Sequence, residues 1–132
     1  MERCEQRMIV FDTYAWIEYF LNTEKADKVE HYLNNDQVIT PIVVLLELSS
    51  KAYKESWDIK KHIDFIKAKS NIFNINEAVI INSGKLYNKI REKIKNFGLL
   101  DAAIFSTAII NKCSLLTGDP HFENSPNVVF LE

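Results

Sequence analysis

Apolar positions along this chain fall into short unbroken runs separated by longer stretches with helical spacing. Met8-Ile-Val-Phe11 is an apolar run that stops at Asp12, the pattern of a strand buried on both faces. Tyr14 to Leu21 and Glu24 to Asn34 then read as two helices, and Gln37 to Thr40 as a second strand. Thr40 followed by Pro41 has the form of an N-cap and a first helical residue, which predicts a helix running to about Lys54. Trp57 to Lys69 is a further helix and Asn71 to Ile75 a third strand. Glu77 to Asn96 reads as one long helix, with Gly98 as a left-handed cap. Leu99 to Asn111 is a very apolar helix, and Cys113 to Thr117 and Asn127 to Leu131 are the fourth and fifth strands. This alternation predicts an α/β fold, a parallel sheet covered by helices on both faces.

Composition adds little to that picture except where it is uneven. With 132 residues, three glycines, three prolines and no repeat, the expectation is one domain over residues 8–132, behind a polar, disordered leader over residues 1–7. No apolar run approaches the roughly 20 residues that span a bilayer, so the expectation is a cytoplasmic protein without a membrane partner. Cys4 and Cys113 have neither the number nor the spacing of a disulfide framework or a zinc site. The net charge of −2 hides a division: residues 51–95 hold 11 Lys/Arg against 5 Asp/Glu, leaving the rest of the chain at −8. A basic middle between acidic ends suits a polyanionic ligand and a cation pocket, although lysine-rich solvated helix faces are common.

Four acids stand out by position, each with an ordinary alternative. Asp12 ends the first strand, where open α/β sheets bind ligands, and it is also placed to cap the next helix. Glu47 lies two turns into its helix, on a stripe with Val43, Val44, Lys51 and Lys54; it is either a cleft-rim carboxylate or half of an exposed pair with Lys51. Asp101 shares its face with Ile104, Phe105 and Ala108, so an ionised carboxylate there needs a partner, a metal or the helix dipole. Asp119, in Thr117-Gly-Asp-Pro-His, ends a strand and also opens a turn. Together, two acids at one sheet edge and two on neighbouring helices would repel one another unless cations intervened. Oxygen-only ligands select Mg²⁺ or Mn²⁺ over zinc. His31, His62 and His121 are scattered surface candidates, His121, two residues past Asp119, alone being near enough to touch a substrate, and Trp16 and Trp57 have the helical spacing of core residues.

The stretches Ile9 to Phe20, Thr40 to Leu48, Leu100 to Ala108 and Leu115 to Phe122 together resemble a PIN domain, in particular the toxin ribonucleases of VapBC systems. The resemblance leaves only Met1–Arg7 outside. It implies a three-layer α/β/α sandwich with sheet order 3-2-1-4-5, and Mg²⁺- or Mn²⁺-dependent endoribonuclease activity. A homodimer and a partner antitoxin follow from it as well. It places Asp12, Glu47, Asp101 and Asp119 on the family's acidic positions, with Thr13 and Thr117 as assisting polar residues. Lys85 and Lys89, on one face of the basic helix, are the candidates for the RNA backbone. Other readings are a housekeeping RNA-processing nuclease and a PIN-fold binding module with idle acids. A phosphorelay receiver would need an acidic pair where Asp12-Thr13 stands, and a haloacid-dehalogenase-type phosphatase would need an acid in place of Tyr14.

Overall fold

A computed structural model describes residues 7–132; the greater part of the expected leader, with Cys4, lies outside the described residues. The sheet is five-stranded and all parallel, in the order β3-β2-β1-β4-β5. Its strands are β1 (Met8–Phe11), β2 (Gln37–Pro41), β3 (Asn71–Phe73), β4 (Ser114–Thr117) and β5 (Val128–Phe130). The helices α1 (Thr13–Phe20), α2 (Ala26–Asn35), α3 (Ile42–Glu55), α4 (Ile59–Lys69), α5 (Glu77–Arg91) and α6 (Leu99–Ile110) connect them, with one 3₁₀ turn at Pro120–Phe122. None of the helices is long and apolar enough to cross a membrane, among the described residues.

Burial follows the sequence pattern in the central strands. Ile9, Val10 and Phe11 of β1 and Leu115 and Leu116 of β4 are fully buried, as expected of strands packed on both faces. The apolar stretch Ala102–Ala108 of α6 lies in the core as well, while Leu99 and Leu100 at its start are exposed. On the α1 side, Trp16 is fully buried among Phe11, Tyr19, Phe20 and Phe65. Its indole N–H donates to Thr40 Oγ1 at 3.1 Å. Thr40 and Ser70 hydroxyls are 2.8 Å apart, and Ser70 donates on to the Ile66 carbonyl. One satisfied relay therefore joins α1, β2 and α4.

Several local expectations are corrected. Thr40 does not cap α3: its hydroxyl is engaged in that relay, and Pro41, still in β2, takes the cap position with ψ 140°. Gly98 is not a left-handed cap, because its φ is −94° and it precedes α6 as the N-cap. The preceding helix ends at Arg91 rather than Asn96, and Phe97, fully buried against Phe122, draws the intervening chain into the core. α4 starts at Ile59 behind the cap of Asp58, so Trp57 stands outside it, half-buried against His62. β3 is cut to three residues, and Cys113 precedes β4 instead of opening it.

Candidate active site

The order 3-2-1-4-5 makes β1 and β4 neighbours, pairing Phe11 with Leu116. The connections leaving their carboxyl ends diverge there, α1 from β1 and the Pro120 turn from β4, which is where a doubly wound sheet opens a crevice. That crevice is a cavity of ≈ 330 Å³ lined by Asp12, Glu47, Asp101 and Asp119, with Thr13, Tyr14, Ile17, Ile104 and Pro120 completing the wall. All four sequence-nominated acids thus face one space, and none of the lining residues is Lys or Arg.

Each acid has a carboxylate oxygen held by a nearby donor. Asp12 Oδ1 accepts from the Ala15 N–H at 2.8 Å, so the capping role expected of it coexists with its place in the pocket. Asp101 Oδ2 accepts from the Gly98 N–H at 3.1 Å, and Asp119 Oδ1 from the His121 N–H at 3.0 Å. Glu47 Oε1 accepts from the Thr13 hydroxyl. The alternative in which Glu47 pairs with Lys51 does not hold; Lys51 meets Glu55 instead, at 3.4 Å. Thr117 is fully buried between two acids: it accepts from the Asp119 N–H at 3.0 Å and hydrogen-bonds the Asp12 side chain.

The electrostatics show that these groups share one field. Burial pushes the Asp12 carboxyl up to about 7, against the hydrogen bonds of Thr117 and Ala15, and Asp119 and Glu47 add to the rise. Glu47 is raised by burial and by Asp101, opposed by Thr13. Asp101 is raised by burial and by Asp119, opposed by the Gly98 N–H and by His121. The repulsions therefore close into a ring, Asp12 to Glu47 to Asp101 to Asp119 and back to Asp12.

Does this ring suit a cation? Among the described residues no three His, Cys, Asp or Glu side chains converge into a ready-made metal cluster. The ring instead surrounds an open cavity with oxygen donors. That arrangement suits an ion such as Mg²⁺, which keeps several waters and takes only one or two carboxylates directly. On chemistry, charge and room the residues fit a hard, hydrated divalent ion.

The remaining nominees fall differently. Lys85 and Lys89 are exposed on α5, and no residue of that helix lines the pocket. His121 is half-buried, its Nδ1 3.4 Å from Asp119 Oδ1. Tyr14, which has no candidate role in the sequence, forms part of the wall. The only trace of it in the sequence is Gly118, whose missing side chain leaves room for the Tyr14 ring.

A doubly wound parallel sheet with an acidic crevice at its switch point is the class that fold and pocket define. The chain belongs to the PIN domain family, whose model matches residues 9–127. No curated protein sequence matches it. Among solved structures, it is similar to a toxin–antitoxin complex from Klebsiella pneumoniae at 25% identity and TM-score 0.75, over 94% of this chain and 98% of that one. It is similar in fold to VapBC2 from Rickettsia felis bound to a DNA fragment from their promoter, at 19% identity and TM-score 0.72, covering 93% and 96%. The fold of Mycobacterium tuberculosis VapC20, a Sarcin-Ricin loop cleaving toxin, is also similar, at 12% identity and TM-score 0.63 over 79% and 83%.

Proposed function

We propose that this protein is a Mg²⁺- or Mn²⁺-dependent endoribonuclease and the toxin of a toxin–antitoxin pair, a homodimer held in check by a cognate antitoxin. The observation that carries the catalytic part is the closed ring of four carboxylates around a cavity whose lining has no Lys or Arg. The toxin part is supported by the Klebsiella pneumoniae toxin–antitoxin complex, which this chain matches over nearly its whole length.

Asp12, Glu47, Asp101 and Asp119 are the residues that would hold the ion. A divalent ion bound there supplies Lewis acidity toward the phosphate and lowers the pKa of a water near it. The reaction is hydrolysis: water oxygen adds to phosphorus, the bridging P–O bond breaks, and the leaving oxygen takes up a proton. The protein's own contribution is positional. Thr117 couples the two strand-end acids, receiving the Asp119 N–H while bonding to Asp12, and Thr13 fixes the Glu47 carboxylate. Ile17 and Ile104 contribute apolar wall, and a low-dielectric wall strengthens the acids' pull on a cation.

The test is cleavage of an internally labelled RNA by purified protein with Mn²⁺ or with EDTA. Internal cuts with Mn²⁺ and none with EDTA are expected, and Asp12→Asn should lower the rate by on the order of 100-fold, at least the loss typical of disturbing a ligand's supporting shell. Equal cleavage by wild type and Asp12→Asn would remove the assignment.

A further inference from the structure

RNA carries one negative charge per nucleotide, and the acid ring alone would repel it. A lysine meets the pocket wall at the contact between Lys25 and Tyr14. Tyr14 lines the cavity beside Asp12 and Thr13. Its ring is seated on bare backbone: a Cβ added to Gly118 would lie 2.1 Å from Tyr14 Cε1. Lys25, the residue ahead of α2, donates from Nζ to the Tyr14 hydroxyl at 2.8 Å and lies 5.1 Å from the ring centroid.

The approach of Lys25 is built into the loop between α1 and α2. Thr23 bonds the Glu18 carboxylate and accepts from the Lys25 backbone N–H at 3.2 Å, which sets where the lysine leaves the chain. Lys25 donates to the Tyr14 hydroxyl although Glu18 and Glu24 also lie within its field. The ammonium keeps further N–H groups to donate, and the Tyr14 hydroxyl, having accepted one bond, keeps its own proton for an acceptor. Such a chain strengthens the outer donor, because each bond polarises the next. An anionic oxygen is the acceptor that suits an ammonium and a polarised hydroxyl side by side.

Resting on the nuclease reading above, we propose that Lys25 and Tyr14 form a phosphate subsite on the pocket wall, holding a backbone phosphate next to the one that is cut. Lys85 and Lys89, on a helix that does not line the pocket, serve as the comparison for charge acting at a distance.

The experiment measures binding of a labelled single-stranded RNA at several salt concentrations, with Mn²⁺, in an Asp119→Asn background that stops cleavage. Steady-state cleavage is measured in parallel with Asp119 intact. Lys25→Gln should weaken binding several-fold and flatten the slope of log affinity against log salt by about 0.7, the value for one phosphate contact on a single strand. Its KM should rise while kcat holds. Tyr14→Phe should weaken binding less, and the double variant should lose less than the two single losses together, because the pair acts as one unit. A lysine that merely ties the loop to α1 would instead lower the melting temperature and leave the salt slope alone, and that result overturns the subsite. Equal loss from Lys85→Ala with Lys89→Ala overturns it too, since the effect would then be long-range charge. If wild type fails to cut RNA with Mn²⁺, the nuclease reading falls and takes the subsite with it. If it cuts, and Lys25→Gln leaves the slope unchanged, only the subsite falls.

Discussion

Asp12 does two jobs whose demands conflict. As a cap it gives α1 a hydrogen-bond acceptor at 2.8 Å, yet burial and its acidic neighbours make its charged form costly. Its carboxyl sits at about 7 in the fold against 3.8 ordinarily, so the folded chain holds a proton that the unfolded chain has released across that interval. Stability from this group is full below about pH 4 and is lost as pH rises to about 7, by at most ~1.4 kcal/mol per pH unit. Asparagine keeps the capping oxygen and removes the charge. The metal-free Asp12→Asn protein should therefore melt higher than wild type at pH 8, by about 4 °C for each kcal/mol gained, with the gap closing toward pH 4. Mn²⁺ should raise the wild-type melting temperature at pH 8 and barely move that of the variant. Melting curves that coincide at every pH would show that Asp12 carries no such burden.

Among the elements, α1, β2 and α4 are held in register by the relay from Trp16 through Thr40 and Ser70 to the Ile66 carbonyl. Trp16 and Thr40 are fully buried, so water cannot replace a lost partner. Thr40→Val keeps the shape and strips the middle of the chain, leaving the indole N–H unpaired. The expected cost is about 1–3 kcal/mol, read as a lower urea midpoint with an unchanged slope. Ser70→Ala, at a position less enclosed, should cost less. A Thr40→Val protein as stable as wild type would mean that packing alone sets this corner. The relay also bears on the pocket, since α1 carries Thr13, Tyr14 and Ile17 into the wall.

For the whole molecule, the toxin reading makes a prediction that no single residue can. Induced expression without a partner should arrest growth, and the arrest should vanish with Asp119→Asn while circular dichroism shows a folded chain. Asp119→Asn lowers the charge of a ring whose members repel each other, so it gives no reason for the fold to fail. Harmless wild-type expression, beside Mn²⁺-dependent cleavage by the purified protein, would return the chain to the housekeeping reading. Arrest by the Asp119→Asn variant would separate toxicity from the carboxylates altogether.

What the sequence by itself determined is what short-range pattern and topology rules can carry. Runs such as Ile9 to Phe11 and Leu115 to Thr117 state that the strands are buried, and alternation with helices makes the sheet parallel. The acids at 12, 47, 101 and 119 were legible because each stands out from an apolar or strand-ending context, and the structure gathers all four around one cavity. What only the tertiary structure decided depends on partners distant in the chain. Thr40 looks like a cap until Trp16 and Ser70 claim its hydroxyl. Gly98 looks like a helix end until the burial of Phe97 pulls the chain inward and Asp101 takes the Gly98 N–H. Glu47 is helical neighbour to Lys51, yet Thr13, 34 positions away, is the residue that holds it. Tyr14 gives no local sign of its role, because the gap it fills is the missing side chain of Gly118, just past the end of a strand that becomes its neighbour only when the sheet forms.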